Sequence, residues 1–219
     1  MERNSRNFYS KLLIGDSSDS NVNFIPILAD EGTPELKEAD IPDVLPIMPL
    51  RDTVLFPGIV MPITVGREKS LKLIKSLPPR KKMIGVVAQV DSKIPDPVTD
   101  DLWHVGTVAQ VIKVLEMPDG NFSVILKGIS RFEVKNYLSE EPFFMARVST
   151  LADIFPDEND KDFIATTSSI RDVTIRIINL TPSLPQEAAF AIKNLDDAQL
   201  LVNFVSANSD ISPEEKQKL

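Results

Sequence analysis

The 219-residue sequence contains no cysteine, which excludes disulfides and thiolate metal sites. It has one histidine, His104, too few for a histidine cluster around zinc. A catalytic triad needs a nucleophile, a base and an orienting group that converge. His104, within Trp103-His104-Val105, instead reads as a strand-edge residue beside an anchoring tryptophan. Glycine is sparse, with 8 residues, and neither Gly-x-x-x-x-Gly-Lys-Ser/Thr nor Gly-x-Gly-x-x-Gly occurs. Those loops cradle phosphate with backbone amides, so no cofactor is expected on these residues. Aromatic residues make up only 6%. No apolar run approaches the ~18 residues that span a bilayer. Met1–Arg6 lacks the apolar stretch of a secretory signal. The expectation is a soluble, cytoplasmic protein with no membrane partner.

Acidic charge and proline are abundant. The net charge is −8, and nine acidic against four basic residues fall in residues 1–43. That segment includes the aperiodic run Gly15-Asp16-Ser17-Ser18-Asp19-Ser20-Asn21 and has too little apolar surface to offset its ordering entropy. It is expected to be a disordered acidic tail, with a stretch around Phe24–Leu28 able to pin onto the rest. Asp19-x-Asn21-x-Asn23 resembles the start of a calcium loop, but Phe24 stands where the turn needs glycine. A net negative chain repels nucleic acid. The one basic group (Arg67, Lys69, Lys72, Lys75, Arg80, Lys81, Lys82) has no interleaved aromatics for base stacking, so nucleic-acid binding is not expected.

Residues 44–155 read as a β domain. Val44–Leu50 and Ile59–Val65 are strands whose Pro46, Pro49 and Pro62 suit edges or bulges. Leu71, Ile74 and Leu77 are spaced as on a short helix over Arg67–Leu77, stopped by Pro78-Pro79. Met83–Val90 is a buried strand. Val105–Leu115 and Phe122–Leu126 flank Pro118-Asp119-Gly120, a hairpin signal. Gly128 is read as a break before a strand over Phe132–Tyr137, and Phe143–Leu151 is the last, with Phe144, Ala146 and Val148 on one face. Roughly seven short strands and one helix favour a closed or half-closed mixed barrel, which removes exposed edges.

Residues 156–219 shift to helical periodicity. Helices are predicted over Asp160–Leu180, Gln186–Lys193 and Asp196–Ala207, the last capped by Asp196 or Asp197. Ser212-Pro213-Glu214-Glu215 opens one more helix with a capping box. The chain reaches Leu219 about two turns into it, so a longer parent protein is expected.

Large apolar residues in predicted loops are the candidate contacts. Phe56 lies in a turn, Met117 beside the hairpin tip, and Phe143 and Phe144 follow Pro142. Exposed, such residues make an adaptable sticky surface; buried, they cap the ends of the β domain.

Two blocks of sequence resemble a known family. The first is Leu45-Pro46-Ile47-Met48-Pro49-Leu50-Arg51-Asp52-Thr53-Val54-Leu55-Phe56-Pro57-Gly58, followed by Pro62-Ile63-Thr64-Val65-Gly66-Arg67. The second is Val105-Gly106-Thr107-Val108-Ala109-Gln110-Val111, then Glu116-Met117-Pro118-Asp119-Gly120, then Gly128-Ile129-Ser130-Arg131-Phe132. Their order and spacing resemble the N-terminal region of Lon-type ATP-dependent serine proteases, as do Leu195-Asp196-Asp197 and Glu214–Leu219. The resemblance covers about residues 42–219; residues 1–41 show no family pattern. It implies an α+β chain, a PUA-like mixed β-barrel with one short helix followed by an α-helical bundle.

The resemblance also implies a substrate-recognition and assembly region working with ATPase and Ser-Lys protease domains outside this chain, where ATP and magnesium would bind. The implied partners are unfolded or damaged proteins, the parent's own ATPase and protease domains, and further copies in a homohexamer. This chain itself is expected to be non-enzymatic. Phe56, Met117, Phe143 and Phe144 are the expected substrate contacts. Arg51 and Arg131 either hold acidic or backbone groups or pin loops. Two other readings are a stand-alone adaptor of the same family and, by analogy of fold alone, an RNA-binding module.

Overall fold

The computed structural model describes residues 27–28, 40–78, 82–154, 156–157, 159–182, 184 and 186–219. The predicted tail, apart from its strand residues Ile27 and Leu28 and Asp40–Asp43, lies outside the described residues, as do the calcium-loop-like spacing, Arg80 and Lys81. The described residues form seven strands: β1 (Ile27–Leu28), β2 (Val44–Leu50), β3 (Ile59–Val65), β4 (Met83–Ala88), β5 (Val105–Glu116), β6 (Phe122–Ser139) and β7 (Phe144–Thr150). Helices are α1 (Glu68–Ser76), α2 (Lys161–Leu180), α3 (Gln186–Lys193), α4 (Ala198–Asn208) and α5 (Pro213–Gln217).

The strands form one mixed sheet in the order β1-β3-β6-β5-β4-β2-β7, with β6 also pairing β7. The pairings of β2, β4, β5, β6 and β7 therefore close on themselves. β2 and β4 are parallel; every other pair is antiparallel. The 18-residue β6 organises the sheet. One edge carries β5, and the other carries β3 along Phe122–Lys127 and then β7 along Phe132–Ser139.

Gly128 does not break this strand, contrary to the sequence expectation. A Cβ there would stand 2.2 Å from the Phe56 carbonyl oxygen, so the glycine admits another stretch of backbone. The Gly58 amide donates to the Gly128 carbonyl at 3.0 Å, with Gly58 at φ +75°. The Thr107 hydroxyl donates to the Leu55 carbonyl at 2.6 Å. On its other side the same loop meets α4. Asn203 donates to the Pro57 carbonyl at 3.1 Å, and the Leu200 side chain fills the space beside Gly58.

β2 is an interior strand and not the predicted edge strand, yet its prolines sit on locally open edges. β2 pairs β7 through Val44–Ile47 and β4 through Ile47–Leu50. Pro46 and Pro49 thus each lie where the strand is paired on one side only, so a missing N–H costs little. Beyond Ile47, β2 has no partner on its β7 side among the described residues. β3 pairs β6 throughout, but β1 covers only Ile59 and Val60 of its other edge.

A large buried cluster joins strand and loop residues Met48, Leu55, Phe56, Ile59 and Leu126 to helix residues Ile178, Ile192, Leu201 and Phe204. A smaller one holds Leu45, Ile47, Val108, Phe132 and Phe144. Buried leucine or phenylalanine side chains stabilise by about 1.5–3 kcal/mol each, so the shared cluster couples the sheet to the helices. A polar clamp adds to it: Asp153 accepts from Arg131 of β6 and from Gln199 of α4. Local signals set the helix starts. Asp160 caps α2 through the Asp162 and Phe163 amides, Asp197 caps α4, and Ser212 with Glu215 forms the capping box of α5.

Gly128→Ala is expected to lower stability by about 2–3 kcal/mol, because the added methyl meets backbone and not a side chain that can turn away. A lower urea midpoint at unchanged m-value checks this. Asp153→Ala, which strands Arg131 and Gln199, is expected to cost about 1 kcal/mol in the same assay, since Arg131 is half exposed.

Candidate substrate-contact surfaces

In the β5–β6 hairpin the β5 arm overruns β4, while β3 flanks the β6 arm up to its first residue, Phe122. β4 pairs β5 through Thr107–Gln110 and the Val111 amide still donates to the Lys82 carbonyl at 2.8 Å, so from Ile112 onward β5 has β6 alone among the described residues. The turn closes through the Gly120 amide to the Met117 carbonyl, with Gly120 at φ +82°. Met117 is 43% exposed there, and Ile112 (40%) and Leu115 (42%) join it. Ile112 falls at a register shift between Val111 and Lys113, which removes it from strict alternation. The legible signal for both was length: a 12-residue strand beside the 6-residue β4 must overrun it.

Phe56 and Phe144 are placed otherwise than expected. Phe56 is 7% exposed and Phe144 2%. The loop bearing Phe56 is held against Gly128 and α4, which turns its ring into the larger cluster. Phe144 is the first residue of β7 and sits edge-on to Tyr137 with Lys69 Nζ 4.9 Å above its ring. Burial holds the Tyr137 phenol up at about 12, chiefly by desolvation. Phe143 is half-buried and packs against the larger cluster. Arg131 pins the segment after β7 through Asp153, the loop-pinning alternative of its two sequence readings.

Arg51 lies on the surface, in a groove of about 450 Å³ between the ends of β2 and β3 and the start of α1. Arg67 lines the same groove and donates to Gln89 Oε1. Gln89 is buried and held in turn by the Asp91 and Ile94 carbonyls. Burial, and then the charge of Arg51, lower the Arg67 pKa, while Asp96 and Asp52 act in the opposite direction.

The remaining basic residues of α1 are engaged. Lys72 pairs with Glu68 at 2.7 Å, Lys69 with Glu141 at 3.0 Å, and Lys75 stands 5.5 Å from the Phe122 ring centre. His104 is exposed just before β5. Among the described residues, no group of His, Asp and Glu is arranged to hold a metal ion, and no helix is long and apolar enough to cross a membrane.

Comparison with known proteins gives the family of the chain. The family described as the ATP-dependent protease La (LON) substrate-binding domain matches residues 44–219. The chain is 47% identical over 201 residues to a Lon protease of Flavobacterium johnsoniae, covering 92% of this chain and 25% of that protein. It is 40% identical over 198 residues to a Lon protease of Cytophaga hutchinsonii, covering 90% and 24%. The chain thus spans about a quarter of the length of these relatives. Its fold is shared with the N-terminal domain of the Mycobacterium avium complex Lon protease (TM-score 0.63, 14% identity, covering 80% of this chain and 88% of that one). A mixed sheet with several helices, matched over 44–219 by that family, identifies the chain as a member of the Lon substrate-binding domain family.

Proposed function

We propose that this chain captures unfolded or damaged polypeptides for an ATP-dependent protease, with the β5–β6 hairpin as its first point of contact. The observation that carries the reading is the exposure of Ile112, Leu115 and Met117 together on the open β5 end of one hairpin of a chain matched by a substrate-binding family. Apolar side chains exposed together engage unfolded chains through area and not shape, and a methionine adapts to varied partners.

We read the closed pairing of β2, β4, β5, β6 and β7 as a PUA-like barrel within residues 44–155, and the helices of 156–219 as the bundle that follows it. In the whole protein, ATP, magnesium and the peptide-cleaving residues belong to parts outside this chain, which is non-enzymatic by itself. An exposed apolar stripe on α2 (Val173, Ile177 and Leu180, spaced four and three residues apart) supports contact with those parts, since the relatives are about four times longer. The assembly is a cytoplasmic homo-oligomer on this reading, and multiple copies of a weak hairpin contact would gain by avidity.

The test is binding to one protein in unfolded and folded forms. Leu115→Ser/Met117→Ser should retain stability within about 0.5 kcal/mol, as both residues are exposed. It should lose about tenfold in affinity for the unfolded form, roughly the loss of two partly buried apolar contacts. Equal binding by the variant would remove the hairpin from the contact surface.

A further inference from the structure

The groove between the ends of β2 and β3 meets the start of α1, and there it is rich in unused donors. It holds about 450 Å³ of open space, within the roughly 300–1,000 Å³ of small-molecule sites. Met48, Leu50 and Val65 give it apolar walls; Arg51, Arg67 and Ser70 line it as well. α1 is nine residues long and begins at Glu68, and its N-cap residue, Arg67, supplies no side-chain cap. The Leu71 amide donates to the Arg67 carbonyl at 2.8 Å, so the Glu68, Lys69 and Ser70 amides before it have no acceptor within the helix. They carry the positive end of its dipole.

Ser70 adds a second, independent observation. It lines the groove yet is only 6% exposed, and its hydroxyl makes no hydrogen bond among the described residues. A polar group so nearly buried calls for a partner, and a ligand oxygen would supply one.

The charges agree. Arg51 makes no hydrogen bond or ion pair among the described residues. Burial first, and then the charge of Arg51, lower the Arg67 pKa, so the two guanidinium groups lie near each other. Gln89, itself buried, holds Arg67 in place. Asp52, which lines the groove, and Asp96 act on Arg67 in the opposite sense, but neither makes an ion pair with it among the described residues. Glu68, the acid in the first turn of α1, is taken up by Lys72 at 2.7 Å. Two guanidinium groups and a nearly buried hydroxyl in one recess, beside unused helix amides, suit an oxyanion with several oxygens and more than one charge.

We propose that this end of the groove binds a small organic molecule through a phosphate monoester, held by Arg51, Arg67, Ser70 and the first amides of α1. A phosphate monoester brings three terminal oxygens and nearly two charges at pH 7. A carboxylate has two oxygens and one charge, and would leave part of the donor set unused. Met48, Leu50 and Val65 cover the organic part. The site stands on the groove alone and is independent of polypeptide capture by the hairpin.

The experiment titrates the 219-residue chain calorimetrically with phenyl phosphate, and in parallel with phenyl sulfate, benzoate and inorganic phosphate. Phenyl phosphate should bind about tenfold more tightly than phenyl sulfate or benzoate, which lack its second charge, and more tightly than inorganic phosphate, which lacks an apolar body. Arg51→Gln should weaken phenyl phosphate about tenfold. Ser70→Ala should weaken it about threefold without lowering the urea midpoint, because the hydroxyl it removes makes no bond within the protein. Circular dichroism checks that both variants keep the fold. Phenyl phosphate should also raise the urea midpoint of the unaltered chain and leave that of Arg51→Gln nearly where it was. Benzoate or phenyl sulfate binding as tightly overturns the phosphate assignment, and inorganic phosphate binding as tightly overturns the organic ligand. No binding of phenyl phosphate, or an affinity unchanged in either folded variant, overturns the site.

Discussion

The seating of Leu55-Phe56-Pro57-Gly58 is the contact on which most of this molecule depends. One side of the loop lies on β6 at Gly128, where a side chain would block it. The other side meets Leu200 and Asn203 of α4. The loop is therefore a layer between sheet and helices, and its Phe56 and Leu55 side chains belong to the cluster that both share. Backbone polar groups buried in such a layer need partners. The Leu55, Phe56 and Pro57 carbonyls find them in Thr107, Ile59 and Asn203, and the Gly58 amide in Gly128.

That seating has consequences at both candidate surfaces. With the loop held down, β3 is delivered to the edge of β6, and β2 departs from β7 after Ile47 to run beside β4. The space between β2 and β3 is what remains, and Arg51 and Arg67 line it because one follows the end of β2 and the other the end of β3. The hairpin depends on the same sheet in a simpler way. β5 is longer than β4, so its outer end keeps one open edge, where Ile112 and Leu115 are exposed with Met117 beside the turn.

Much of this was legible in the residues. The limits of β2 and β3 follow from their dense Val, Ile, Leu and Met content between turn residues. The helix starts follow from Asp160, Asp197 and Ser212, whose caps are local chemistry. The features that were not legible depend on partners far away in the chain. Gly128 looks the same in sequence whether it ends a strand or admits the Phe56 backbone 72 positions earlier. Phe56 in its turn and Phe144 after Pro142 read either as contacts or as end caps until the surfaces that cover them are known. Arg51 and Arg67 lie sixteen positions apart in sequence and share a groove only because the loop folds back.

The most direct measurement follows from the layer between sheet and helices. Trp103, the single tryptophan, lies beside the smaller strand cluster, whereas helical ellipticity is carried largely by α2, α3 and α4. Urea unfolding followed by Trp103 emission and by far-ultraviolet ellipticity should give one coincident transition, because the seated loop makes the two parts a single cooperative unit. Loss of helix at a distinctly lower urea concentration, with Trp103 emission still native, would contradict it.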